Sequence, residues 1–504
     1  TAITLDDRTG TASTTFSGAS KIITGTINGL ATTEGTITVS GTPTFVSTIG
    51  NSQRPAQLTI NGATTFQAAV QTAALTTTAA ISNGTTLNVS GASSIGANIT
   101  TSSTQTYTGA VTLTANTTLA GSTVTNSSTV AGGGFSLAIT GNSSIGGAIS
   151  NATSFSVSGT TSLGASVTTT TGGQTYSGAV TLAASPTLTS PTGTILFSST
   201  VDGGFTLTIT NSGSTGDVTF TGAVGTTSLT GLTITTDILN AAAIRSTGTL
   251  SVTNTGTSSI TGIISENVSA LAVTKAGTGT LTLSGANTYT GLTTISAGTL
   301  KLGATGGATN TPLGTTAAGT VVSTNGTLDL AGFTLGTTEA LILNGTGTSS
   351  IGALMNSGSA ATYSGLITLG STSSIIGGTG TINISNVGTI TGSGFGLTLG
   401  GAQGGTLTSI LGIGAGTLTK QDAGTWTLSG VNTYSGTTTV SAGTLAITGS
   451  GQLNSGTYSG AITVSSGAIF TWSSTANQTF STLAAGAGTI NLNGSSGTVT
   501  ISGD

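Results

Sequence analysis

The stretch NTYTGLTTISAGTLKLG, residues 287–303, returns at 432–448 as NTYSGTTTVSAGTLAIT. All six tyrosines of the chain sit inside versions of its first half: TYTGAVTL at Tyr107, TYSGAVTL at Tyr176, TYTGLTTI at Tyr289, TYSGLITL at Tyr363, TYSGTTTV at Tyr434 and TYSGAITV at Tyr458. The gaps between successive tyrosines are close to three, five, three, three and one times a period of about 23 residues, which is within the range that marks solenoids and stacked arrays. One turn of a coil is expected to take about that many residues.

Within a turn the text alternates. GTLTLSG from Gly279, TTISAGTLKLG from Thr293 and FTLTIT from Phe205 place an aliphatic residue beside Thr or Ser with a period of two, the pattern of a half-buried strand. β-Branched Thr suits the outer pleat while Leu, Ile and Val turn inward. Gly285, Gly291 and Gly298 punctuate the runs at corners, where the backbone is expected to need positive φ. FQAAVQTAAL from Phe66 is the one place where a short helix competes with a strand.

Composition agrees with a coil. Charged residues make up 4% of the 504, against about 25% in ordinary globular proteins. Disorder does not explain the text, because a disordered chain leans on charge and Pro, whereas this one has net charge −4, 5 Pro and 35% hydrophobic residues in alternation. Short strands with one apolar face, repeated every turn, bury that face by stacking turn on turn. The fold class expected is all-β, a right-handed parallel β-helix (β-solenoid). In such a stack equivalent positions lie about 4.8 Å apart, and like charges there cost roughly 1 kcal/mol per pair even in water. Neutral Thr, Ser and Asn ladders carry no such cost. Accordingly, residues 55–201 and 423–503 contain no charge.

The same composition removes function classes. With no Cys and no His, there is no thiolate, no imidazole and no usual zinc ligand, so no cofactor and no metal is expected. Seven dispersed Lys and Arg cannot line a nucleic-acid track. Thr, Ser or Gly interrupts every apolar run well short of the about 18 residues that a membrane span requires, so no transmembrane helix is expected. TAITLDDRTG at the start is not a signal peptide, which suggests a mature or excised fragment.

The segments KAGTGTLTLSGANTYTGLTTISAGTLKLG (275–303) and KQDAGTWTLSGVNTYSGTTTVSAGTLAIT (420–448) resemble the autotransporter-associated β-strand repeat of Gram-negative surface proteins. NGTLDLAGFTLGTTEALILNGTG (325–347) is similar to the segment that commonly follows it. QTYSGAVTLAASPTL, FSSTVDGGFTLTIT and VTFTGAVGTTSLTGLTITT, between Gln174 and Thr236, are similar to repeats of filamentous-haemagglutinin-like adhesins. The resemblance implies a right-handed β-helix, export to the cell surface, and roles in adhesion or in building extracellular structures. The translocator barrel of such proteins is not recognisable after Ser473, so the export route stays open.

Candidate sites are few. Asp6, Asp7 and Arg8 form the densest charge cluster, and with Asp504 they are expected to mark an end cap or subunit interface, since charges at an open strand edge oppose uncontrolled pairing. Residues 1–80 are read as the solenoid start or cap and 81–504 as continuous repeat. Asp202, Asp217 and Asp237 could be the acids of a polysaccharide-cleaving β-helix, but such enzymes need carboxylates converging within about 5 to 10 Å. Their spacings both fall short of the expected turn and do not stack all three on one face, so isolated turn residues are the expectation. The tyrosines define the repeat; they are expected to pack at turns, with a sugar-binding stack as the competing reading. Trp426 replaces Leu281 at an equivalent inward position.

The functional expectation is a non-catalytic extracellular structural protein that self-associates end to end into a fibre, filament or surface layer. A monomeric passenger that binds a glycan or cell-surface receptor is the alternative, and a polysaccharide-active enzyme a weaker one.

Overall fold

The computed structural model describes residues 3–5, 12–213, 215–484, 486–493 and 496–502. Asp6, Asp7, Arg8 and Asp504 lie outside the described residues. The chain forms two compact units, 1–242 and 243–504. Both are β-solenoids, in which each strand pairs in parallel with the strand one turn further on. Among the described residues the helical pieces are single 3-10 turns at Thr348–Ser350 and Asn454–Gly456. The FQAAVQTAAL run is strand: Thr64–Phe66, Val70–Thr72 and Ala74–Thr77.

The first unit places three strands in each turn. Gln57–Ile60, Thr64–Phe66 and Val70–Thr72 make one turn, and Ala74–Thr77, Ile81–Asn83 and Leu87–Val89 make the next. Three ladders result. Leu58 pairs with Leu75 and then Ser93, Thr64 with Ile81 and then Ile99, and Val70 with Leu87 and then Gln105. The coil is already running at Ser13–Phe16, which pairs with Thr36–Val39.

Turn length varies around the expected period. The turn from Leu58 to Leu75 is shorter than the one from Phe197 to Phe220, and in the second unit the turn from Ala297 to Asn325 is longer than either. Most of the difference is taken up at the corners, since a loop there lengthens at little entropic cost, and some by register shifts inside strands, as between Ile295 and Ala297. The tyrosines sample these unequal turns. Tyr107 pairs with Val89 and Asn126 on the third ladder, and Tyr176 with Val157 and Phe197 on the second. The stretch between these two tyrosines is therefore not a whole number of turns.

Alternation sets the core. In Gln57–Ile60 the inward Leu58 and Ile60 are fully buried while the intervening Thr59 faces out. Each such aliphatic side chain contributes about 1.5 to 3 kcal/mol on burial. Along one ladder the rings stack: Tyr176 on Phe197 with centroids 5.0 Å apart, and Phe197 on Phe220 at 4.8 Å, worth about 0.5 to 1.5 kcal/mol a pair beyond area. Outside, Thr187, Thr208 and Thr233 fall in one column, and Thr189, Thr210 and Thr235 in the next. In these two columns each turn meets a neutral neighbour, and at Lys301 and Asp329, where charges do adjoin as ladder partners, they are of opposite sign.

The second unit uses the same design with longer corners. Thr293–Leu302 serves two ladders at once, pairing at its start with Val273–Lys275 and at its end with Thr280–Leu283. Ala361–Tyr363 opens a further ladder, which runs through Ile382–Ile384, Gly404–Leu407, Thr425–Leu428, Thr444–Gly449 and Ile469–Ser474 to Thr489–Leu492.

Candidate functional site

The duplicated phrase is chemically dense and it faces inward. In the first copy the Lys275 ammonium is buried and donates to the carbonyls of Ala276 (2.7 Å), Gly277 (2.9 Å) and Ala297 (3.2 Å), the last one turn further on. In the second copy Lys420 donates to Gln421 (2.8 Å), Asp422 (2.7 Å) and Ala442 (2.9 Å). One offset along the chain carries every partner of the first copy onto its counterpart in the second. Gly298 and Gly443 sit where the cage closes, with φ of 68° and 62°, whereas Gly285 and Gly291 turn without the positive φ expected of them. A Cβ on Gly298 would lie 2.4 Å from the Gly277 and Gly279 oxygens and 2.8 Å from Nζ of Lys275, so only Gly fits there. Burial pulls both ammonium groups down to about 8 from their ordinary 10.5, an effect that the charge of Asp422 partly opposes at Lys420.

Asparagine stitches the opposite corner. Asn287 Oδ1 accepts from the Ile264 amide (2.7 Å) and its Nδ2 donates to the Pro312 carbonyl (2.7 Å), so one side chain joins the turn before to the turn after. Asn432 does the same with the Leu411 amide (3.0 Å) and the Gln452 carbonyl (2.9 Å). Each is a buried amide with both ends satisfied, the condition under which buried polar groups hold a structure together.

All six tyrosines are buried, at no more than 1% exposure, and none offers a ring to a sugar. The residue two places before the ring tracks where its hydroxyl goes. In the Gln-Thr-Tyr copies, Tyr107 donates to Oε1 of Gln105 (2.9 Å) and Tyr176 to Oε1 of Gln174 (3.0 Å). The two Gln amides in turn bridge carbonyls of successive turns. In the Asn-Thr-Tyr copies the amide is occupied at the corner, and the hydroxyls of Tyr289 and Tyr434 meet Thr293 and Thr438 at 2.7 Å. Tyr363 donates to the Glu339 carbonyl (2.5 Å), and Tyr458 meets the Thr438 hydroxyl at 2.7 Å. Burial raises every one of these phenols. Trp426 is fully buried, with Nε1 donating to the Gly400 carbonyl (2.9 Å), while Leu281 in the first copy needs no such acceptor.

The three candidate acids do not converge. Asp202 belongs to the ladder of Val180–Leu182 and holds the Thr226 hydroxyl and the Thr227 amide. Asp217 is on another ladder and pairs with Ile238. Asp237, the residue before that partner, therefore stands beside the pair; partial burial and then the Asp237 charge raise the Asp217 carboxyl. Arg245 reaches Asn267 at 2.9 Å. Among the described residues no group of three or more Asp, Glu, His or Cys is placed to hold a metal ion.

What the duplicated phrase turns outward is threonine and, in the first copy only, Lys301. Thr280 and Thr282 line an open groove with Lys301, Asp329 and Met355. Their counterparts Thr425 and Thr427 line another with Asn383, Gln403 and Thr406. In the first groove Lys301 stands 3.9 Å from Asp329, whose carboxylate takes the amides of Ala331 and Ser357 at 2.9 Å and the Ser357 hydroxyl at 2.6 Å.

Both caged corners fall within segments that match a known family. Residues 273–302 and 414–447 match the passenger-associated-transport-repeat. Together with the parallel coil, these two repeats fit an autotransporter passenger of the β-helix kind. No curated protein and no solved structure matches the chain.

Two outcomes follow from this interior. In a spectrophotometric titration of the native protein the six phenols are expected to stay silent through pH 10, their ordinary value, and to ionise only on unfolding; phenolate absorbance from folded protein at that pH would contradict the burial. The lysine cages set a second sign. With folded values near 8 against 10.5 unfolded, the unfolded chain binds more protons between those limits, so stability rises with pH from about 8 until unfolded tyrosines begin to ionise near 10. Lys275→Met with Lys420→Met should remove that rise. Each replacement should also cost about 1 to 3 kcal/mol by orphaning carbonyls, as read by denaturant unfolding across this pH range.

Proposed function

We propose that this chain is a non-catalytic extracellular structural protein, displayed on or released from the surface of a Gram-negative bacterium, whose copies stack end to end into a fibre, filament or layer. The observation that carries the reading is that the two repeated segments keep Lys275, Lys420 and their Asn, Tyr and inward Thr side chains inside the coil, bonded to backbone or to one another, and turn out Thr and, in the first copy, Lys301. A repeat under selection for recognition would present such groups outward; this one uses them to hold turns together. The family match supports the surface location, because passenger repeats serve proteins that are secreted or surface-exposed. The neutral outer columns support stacking, since a copy added in register meets no column of like charge.

The Thr-lined grooves favour a second reading, an adhesin passenger that takes up a glycan strand along one face. The two readings separate in one pair of measurements. Electron microscopy of purified protein at rising concentration is expected to show filaments or sheets that lengthen with concentration. A glycan array on the same preparation is expected to give no selective binding. Separate particles at every concentration, together with a selective glycan hit abolished by Lys301→Ala, would overturn the structural reading in favour of the adhesin.

A further inference from the structure

Glu339 is a carboxylic acid with no counter-charge in the core of the second unit. Its side chain is fully buried. Oε1 accepts from the Thr320 hydroxyl at 3.1 Å, and Oε2 is enclosed without a hydrogen-bond partner. The titratable groups that face it are the phenols of Tyr363, one turn further on, and Tyr289, two turns back, and both feel its charge. The nearby charged groups are engaged elsewhere: Glu266 holds the amides of Leu271 and Thr290, and Lys301 leans on Asp329. A carboxylate in such a place is far costlier than a neutral carboxyl.

Its position on the chain gives that protonation a mechanical consequence. Residues 330–340 cross between the strands Thr320–Asp329 and Leu341–Gly345 without regular structure of their own. Glu339 is the penultimate residue of this crossing, and its main-chain carbonyl takes the Tyr363 hydroxyl. The crossing is otherwise held by the buried side chains of Leu330 and Leu335 and by isolated bonds, such as the Gly332 amide to Asn356 and the Gly336 amide to the Thr305 carbonyl.

We propose that Glu339 is a protonation latch: neutral, it holds the 330–340 crossing against the core, and on ionising it swings to solvent and frees that crossing while the ladders on either side stay paired. Burial raises this carboxyl from 4.5 to about 7, the Thr320 bond opposing. A raised folded value means that the latch is fully shut below 4.5 and loosens as pH climbs from there to about 7.

Hydrogen exchange of the full chain, corrected for the intrinsic pH dependence of amide exchange, tests this at the Gly332 and Gly336 amides. Their protection is expected to fall about tenfold per pH unit between 4.5 and about 7 and to level off above, while the amides of Leu281 and Leu300 keep theirs. Glu339→Gln should hold the crossing at its acid-state protection throughout. Thr320→Val, which removes the bond that favours the carboxylate, should move the levelling point to higher pH. A flat profile in the wild-type chain, or the wild-type slope retained in Glu339→Gln, would overturn the latch. Should Glu339→Gln fail to fold, the direction of the Thr320→Val shift decides, and a downward shift or none refutes it.

Discussion

The structure depends on main-chain hydrogen bonds between one turn and the next. A strand in a parallel ladder fixes its neighbour at about 4.8 Å and in one register, so whatever a position carries lies directly against the side chains one turn above and one turn below. That constraint selects the composition. Charge is tolerable only where it is not repeated, and the aliphatic interior must be continuous, because a single outward slip of register would turn every side chain to the wrong face. The Thr columns 187, 208, 233 and 189, 210, 235 show the outer solution. The run Val157, Tyr176, Phe197, Phe220 shows the inner one.

Corners are where such a coil is weakest, since there the main chain leaves the ladder and its carbonyls lose their partners. Buried donors close them. An ammonium does this at Lys275 and Lys420, an amide at Asn287, Asn432, Gln105 and Gln174, and in each case the donor reaches a carbonyl of the neighbouring turn. A buried ammonium carries a heavy desolvation cost, and the three carbonyls around each lysine offset it. The duplicated phrase is thus a corner-and-strand unit whose buried Lys, Asn and Tyr are internal fittings, which explains why it can be copied almost unchanged.

Much of this was legible in the text. Alternation identified strands, the recurrence of the tyrosine phrase identified a coil, and charge depletion identified a parallel stack. The length of each individual turn was not legible, because corner insertions are invisible to a motif count: Tyr107 and Tyr176 look like whole turns apart and stand on different ladders. Nor did the phrase reveal its own chemistry. Lys275 and Lys420 read as two charges in a matching segment, and only the fold shows each surrounded by carbonyls. The pairing of Asn before Tyr with Thr after it, against Gln before Tyr, was present in the letters as a signal that burial alone makes interpretable. Glu339 carried no signal at all, since a lone acid in a Thr-rich crossing reads as a solvated turn residue.

Because the chain has no cysteine, register is open to direct measurement by pairs of introduced thiols. Ser94 and Thr112 are ladder partners one turn apart, and Ala131 lies one turn further along the same column. Mild oxidation of Ser94→Cys with Thr112→Cys is predicted to give an intramolecular disulfide, the Cα separation of ladder partners falling within disulfide range. Ser94→Cys with Ala131→Cys, about twice as far apart, should remain reduced. Efficient bridging of the second pair, or none of the first, would contradict turn-on-turn stacking and with it the account of the whole chain.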